Sequence, residues 1–182
     1  WELPVRQKEI IMTARRFNKP VIVATHMLQS MTKNSIPTRA EVSDVANAVY
    51  DSADAVMLSA ESASGKFPVD AVKMMRQVLE YTEGSANGFT RFIESNMSST
   101  TLSVAHAART IASQVQAKCI FVATETGLSA RAVSYHRPHV PVLALAGHAD
   151  IARSLTISWG VFPMVFAHAR SSRQLLSRAI ES

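Results

Sequence analysis

Short apolar runs rich in Val and Ile alternate along this chain with segments of helical periodicity. Polar residues gather where each run ends. Both observations predict an α/β fold with buried parallel strands. A Gly-, Ser- and Asn-rich stretch near the middle predicts a division into two such units.

In order, residues 2–17 space Val5, Ile10, Ile11 and Ala14 close to a helical repeat, and Asn18 ends the segment. Pro20 to Ala24 reads as a first strand, with Thr25 and His26 at its carboxyl end. Gln29 to Thr38 is a polar loop. Ala40 to Asp51 places Val42, Val45, Ala46 and Val49 on one helical face. Asp54 to Leu58 is a second strand, followed by Ser59 and Glu61. Ser62 to Lys66 reads as a loop, and Pro68 opens a helix that runs to about Glu83, at a first-turn position where its missing N–H is harmless. Helix, strand, helix, strand, helix is a piece of a larger βα repeat. Ligands of parallel α/β folds sit at the carboxyl ends of strands, so Thr25 and Ser59 belong to one expected site.

The linker spans residues 87–99. After it, Thr101 to Gln116 repeats Ala, Val and Ile at helical spacing, and Lys118 to Ala123 is a strand. Glu125 to Ser129 is a turn and Ala130 to His136 a helix. Val140 to Ala146 is a strand, Ala149 to Trp159 a helix, Val161 to Phe166 a third strand and Arg173 to Ile180 a helix. The expected domains are therefore 1–86 and 100–182.

The chain has 182 residues, 47% of them hydrophobic, enough for a real core. No apolar run approaches the roughly 20 residues that span a bilayer. Trp1 to Arg16 is mixed and charged, unlike a signal peptide. The single cysteine, Cys119, sits in the apolar run AKCIFVAT, where it is expected to pack as a buried strand residue. With no partner for an intrachain disulfide, a reducing, cytoplasmic setting is expected. The net charge of +5 falls on residues 87–182, where eight of nine basic residues are Arg, while residues 1–86 balance ten against ten. Arginine suits phosphate binding, and a solvated, mildly basic surface accounts for the excess equally well. No nucleic-acid motif or dense basic run accompanies it, so a nucleic-acid partner is not expected. The six histidines are scattered without ligand spacing, so no metal site is assigned.

Three blocks in the first half, ATHMLQSM from Ala24 to Met31, PTRAEVSDVANAV from Pro37 to Val49 and MLSAESASGKFP from Met57 to Pro68, closely resemble pyruvate kinase. The second half resembles that family's C-terminal domain in TETGLSA from Thr124 to Ala130, in Arg137-Pro138, and in WGVFP from Trp159 to Pro163. The resemblance covers nearly the whole chain apart from the linker. It implies the last two strands of a TIM (β/α)8 barrel followed by a small three-layer α/β domain. It also implies a glycolytic phosphoryl transfer from phosphoenolpyruvate to ADP, giving pyruvate and ATP.

By the same resemblance, Mg²⁺ and K⁺ serve the parent enzyme. Their ligands and the catalytic lysine would lie on earlier strands absent here. The expectation is a C-terminal portion that is inactive alone, from a parent that is usually a homotetramer. A non-catalytic phosphate-binding or oligomerisation module is the competing expectation.

The resemblance places Thr25 against phosphoenolpyruvate, beside the enolate carbon, where its hydroxyl can orient a proton-carrying water. A strand-end threonine capping the next turn is the alternative. Ser59 matches a serine lining the same pocket, a water-orienting group, or else a loop serine bonded to its own backbone. His26 stands where the family usually has glutamine, and Ala60 where many members have glycine.

Arg39 and Glu41 match a loop near a subunit interface, while Thr38 and Glu41 also have capping-box spacing. Thr124, Thr126, Gly127 and Ser129 form a hydroxyl-rich strand-to-helix turn. It is either a phosphate nest for a sugar-phosphate effector or a plain capped turn. Glu125 in that turn would repel a phosphate. Trp159 and Gly160 are expected to mark core packing and a tight turn. Met12, Met27, Met31, Met57, Met74 and Met75 are expected to fill the core.

Overall fold

The computed structural model describes residues 1–85 and 100–165. The expected linker, the helix from Arg173 to Ile180 and the end of the chain lie outside the described residues. The chain divides into two compact units, the first built mainly from the residues before the linker and the second mainly from those after it.

The first unit runs α1 (Leu3–Arg16), β1 (Ile22–Val23), a 3₁₀ turn (Gln29–Thr32), α2 (Arg39–Tyr50), β2 (Ala55–Val56), α3 (Ala60–Ala63) and α4 (Pro68–Ser85). β1 and β2 are parallel, with Ile22 opposite Ala55 and Val23 opposite Val56. Both strands are shorter than the five-residue runs expected. At one end the Val21 N–H donates to the Asp54 carboxylate at 3.0 Å, replacing a ladder bond with a side-chain bond. At the other, the backbone turns out of extended geometry at Thr25.

The stretch expected to be a loop at Ser62 is partly helical, since α3 begins directly after Ser59. The Glu61 side chain bonds back to the Ser59 N–H and satisfies one of the orphan donors of a helix start. Ile11, Val23, Met27, Leu28, Met31, Val45, Ala48, Ala71 and Met75 form the core. Of the α2 face read from the sequence, Val45 is buried and Val42, Ala46 and Val49 are half-buried, while Ala48, outside that face, is buried as well. Met57, expected inside, is 43% exposed. It follows β2, where its N–H still bonds the Val23 carbonyl while its side chain leaves the core.

In the second unit, α5 (Thr100–Gln114) precedes β3 (Ile120–Thr124), α6 (Leu128–Tyr135), β4 (Val142–Ala146), α7 (Ala149–Leu155) and β5 (Val161–Val165). The sheet is parallel in the order β3-β4-β5, and the row Ile120, Val142, Val161 fixes the register. Sequential parallel neighbours joined by helices follow the expected crossover rule. Val142, Ala144 and Val161 pack with Leu102, Ala105, Ala130, Val133 and Leu155 in one core. The next row, Phe121, Leu143 and Phe162, points to the opposite face, where both phenylalanines are exposed. A parallel sheet has apolar residues on both faces because both are normally covered.

α7 stops at Leu155, four residues short of the expectation. The Thr156 hydroxyl donates to the Arg153 carbonyl, and the chain then turns through Gly160 at φ +66 into β5. The expected tight turn is there. Trp159 is only half-buried, with the Arg137 guanidinium 5.4 Å over its ring. Cys119 falls one residue before β3 and is half-buried, not inside the strand.

Candidate active site

Parallel pairing of β1 and β2 brings their carboxyl ends to one edge, and the Met57 N–H still reaches the Val23 carbonyl at 2.9 Å. Thr25 and Ser59 therefore follow adjacent strands at that edge, two residues beyond β1 and three beyond β2, and neighbouring strands lie about 4.8 Å apart. Met27 and Leu28, both buried, anchor the chain two and three residues after Thr25.

Thr25 and His26 have φ of +69° and +56°. Among the described residues, four other non-glycine positions have positive φ: Asn18, Ser52, Gln116 and Arg137. Each of these follows a helix, where a left-handed residue closes the last turn. Thr25 and His26 follow a strand, so that explanation fails for them. A β-branched residue in this region is a genuine outlier. Each such residue costs about 1–3 kcal/mol and persists only where its surroundings over-determine it. Thr25 and His26 are both exposed, and the Thr25 hydroxyl has no hydrogen-bond partner among the described residues. Ser59 is half-buried at the α3 N-cap, with φ −117° and ψ −104°, and its hydroxyl makes no cap bond.

Glu61, placed after the second strand by sequence reasoning but given no role there, is the residue that joins the two strand ends. It is fully buried. One carboxylate oxygen accepts the Leu28 N–H at 3.1 Å and the other the Ser59 N–H at 2.8 Å. Burial by itself raises the carboxyl pKa. Hydrogen bonds from its own N–H, Ser59 and Leu28, with the nearby His26 charge, outweigh burial and hold Glu61 below the ordinary carboxylate range. Its signal in the sequence was faint: a glutamate two residues past a strand-end serine. Full burial of a glutamate is rare enough to mark it.

Arg39 is exposed at the first turn of α2. Glu41 is turned inward. Thr38 is the N-cap and the capping box is complete, with the Glu41 N–H donating to the Thr38 hydroxyl oxygen and the Thr38 N–H to the Glu41 carboxylate. The same carboxylate also binds Ser30.

In the second unit the hydroxyl-rich turn lies between β3 and α6. Gly127 is the α6 N-cap, at φ +84, and this moves the helix start two residues ahead of the expected Ala130. The Thr124 hydroxyl is buried and accepts the Gly127 N–H at 2.9 Å, so it holds the turn itself. Thr126 is exposed and Ser129 half-buried. Arg131, not singled out from sequence, reaches Ser154 at 3.0 Å from the same helix. Among the described residues no three His, Cys, Asp or Glu side chains converge on a point that could hold a metal ion.

Residues 1–72 match the family described as pyruvate kinase, barrel domain, and residues 102–182 match pyruvate kinase, alpha/beta domain. The chain is 44% identical to pyruvate kinase 2 of Synechocystis sp. over 98% of its own length and 30% of the relative's. It is 40% identical to the Clostridium acetobutylicum pyruvate kinase, over 98% of the chain and 38% of that protein. Among solved structures, a Cryptosporidium parvum pyruvate kinase superposes with a TM-score of 0.92 at 37% identity, covering 99% of this chain and 38% of its own. A complex of the Cryptosporidium parvum enzyme with ADP superposes with a TM-score of 0.84, at 37% identity and over 99% of this chain and 37% of that one. The chain thus spans about a third of the length of the curated relatives it matches. Matched across both of its units, in sequence and in fold, the chain belongs to the pyruvate kinase family, carrying part of its barrel domain followed by its α/β domain.

Proposed function

We propose that the complete protein carrying this chain transfers a phosphoryl group from phosphoenolpyruvate to ADP, giving pyruvate and ATP, as a cytoplasmic glycolytic enzyme. The observation that carries the reading is the strained Thr25–His26 pair after β1, which together with Ser59 after β2 brings two hydroxyls to the carboxyl edge of the paired strands. Strain at an exposed, ligand-facing position is a feature of functional sites. ADP is bound by a related protein of the same fold, which supports the nucleotide as substrate here.

In this reading the bond from phosphorus to the enol oxygen breaks, and its electron pair stays on that oxygen. A new bond forms from phosphorus to a terminal oxygen of ADP. The enolate carbon then takes a proton to become the pyruvate methyl group. Thr25 contacts the substrate and orients the water that carries the proton, while Ser59 orients the same water. Mg²⁺ would neutralise the transferring phosphoryl group when bound. Among the described residues no three His, Cys, Asp or Glu side chains converge, and no step is derived through this ion or K⁺.

The division into 1–86, 87–99 and 100–182 belongs to the same reading, as do an Arg39 and Glu41 contact between subunits of a homotetramer and a sugar-phosphate effector at Thr124, Thr126, Gly127 and Ser129. The isolated 182-residue chain is expected to be inactive. The test is turnover of phosphoenolpyruvate with ADP by the complete protein and by the 182-residue chain alone. Activity only in the complete protein is expected. An inactive complete protein overturns the enzyme reading in favour of a binding or assembly module.

A further inference from the structure

We propose that Glu61 is a positioning residue for proton transfer, its carboxylate clamping the two strand-end loops that present Thr25 and Ser59. The inference rests on the catalytic reading of those two residues. Each carboxylate oxygen takes a different loop. Oε1 accepts the Leu28 N–H, three residues beyond Thr25, and Oε2 accepts the Ser59 N–H. Among the described residues, the backbone bonds that tie the segments after β1 and β2 are Met57 N–H to the Val23 carbonyl at the strand ends and, farther out, Lys66 N–H to the Thr32 carbonyl. A two-residue ladder is a weak frame for a site that needs sub-ångström placement.

The left-handed conformation of Thr25 and His26 has to be imposed by whatever holds the chain on their C-terminal side. Leu28 is that point, fully buried and bonded to Glu61. Only a carboxylate satisfies both donors: an amide in its place offers one acceptor and turns an N–H₂ toward the other donor. The clamp acts on the backbone. It therefore fixes where the Thr25 and Ser59 hydroxyls stand without contacting substrate.

The reaction separates into phosphoryl transfer and enolate protonation, which gives a readout that loss of fold does not mimic. Run backwards, the protonation step exchanges the methyl hydrogens of pyruvate with solvent. In the complete enzyme, Glu61→Gln is expected to lower that exchange rate by about 10- to 100-fold. KM for ADP should stay within about twofold, because this variant removes no group from the nucleotide. Amide hydrogen exchange should speed up in peptides containing Leu28 and Ser59. Glu61→Asp keeps two acceptor oxygens on a shorter side chain and should fall between the two proteins; it also serves if the Gln variant fails to fold.

Thr25→Ala is the control for the underlying reading. If Thr25→Ala impairs the enzyme while Glu61→Gln leaves methyl exchange unchanged, the clamp is overturned and the catalytic reading stands. If amide exchange at Leu28 and Ser59 does not change, the clamp is overturned as well. Equal losses in methyl exchange, ADP binding and thermal midpoint would make Glu61 merely structural. If Thr25→Ala has no effect, the reading itself falls and the inference with it.

Discussion

Glu41 and Ser30 are joined twice, the Glu41 carboxylate accepting both the backbone N–H and the hydroxyl of Ser30 at 2.6 Å each. The same carboxylate closes the capping box of α2 through Thr38. One side chain therefore fastens the 3₁₀ turn after β1 to the start of α2. Hydrogen bonds to a charged acceptor contribute about 1.5–3 kcal/mol each when buried. Glu41 is only half-buried and its contacts share one group, so Glu41→Ala is expected to cost about 2–3 kcal/mol. Glu41→Gln should cost less, since it keeps one acceptor. Urea unfolding of the three proteins checks this, and an unshifted midpoint for Glu41→Ala would refute the fastening role.

The acid limb of stability should show two stages. Burial of Glu41 and of Glu61 raises each carboxyl, but hydrogen bonds outweigh it and both lie below the ordinary 4.5. A carboxyl with a lowered folded pKa contributes stability that is complete above its unfolded value and is lost as pH falls through its folded one. His136 is lowered from 6.5, first by burial, then by the neighbouring cations His106 and Arg109, against the opposing bond to the Leu102 carbonyl. Its unfolded form binds the proton more readily, so its contribution is complete above about 6.5 and declines as pH falls from there toward the folded pKa. Denaturant midpoints from pH 8 to pH 3 should decline first below about 6.5 and again below 4.5. Replacing His136 with Gln should abolish the first decline alone.

Gly65 is required for space, not for its backbone angles. A Cβ there would meet the Glu61 carbonyl oxygen at 2.6 Å and the Thr32 Cα at 3.1 Å, both backbone atoms with nowhere to go. Gly65→Ala is expected to destabilise by about 1–3 kcal/mol, as overpacking does. It should also disturb the Lys66 N–H bond to the Thr32 carbonyl. A thermal midpoint equal to wild type would mean that the α3 end gives way freely.

Thr25 separates stability from activity. Thr25→Gly removes the penalty of a β-branched residue at φ +69, so the protein should keep or gain stability despite the more flexible chain. In the complete enzyme the same change, like Thr25→Ala, should lower kcat because it removes the hydroxyl used in enolate protonation. A variant that is less stable yet fully active would contradict both statements.

Much of the first unit was legible in the sequence. The T-x-x-E box at Thr38 is a local pattern and stands as read, whereas the α2 face of Val42, Val45, Ala46 and Val49 is shifted, with Val45 and Ala48 the buried pair. Strand lengths were not legible. Apolar runs of five residues report burial, whereas a ladder needs a paired neighbour, and Asp54 and the Thr25 turn limit the pairing to two residues. α7 was overestimated because Ser158 and Trp159 continue the composition of a helix but not its hydrogen bonds. Ser158 donates to Leu155 in a turn, and the Trp159 carbonyl accepts from Ser134 at 2.6 Å.

By itself the sequence determined the α/β class, the order of the elements, the family and the two hydroxyls at the strand ends, because each depends on residues near one another in the chain. Only the tertiary structure decided that Thr25 and His26 are left-handed, that the Thr124 hydroxyl turns inward to Gly127, and that Glu61 joins two loops. The reason is physical. Backbone strain and a buried carboxylate are tolerated only where groups distant in sequence supply the compensating bonds. Leu28 and Glu61 lie 33 residues apart along the chain.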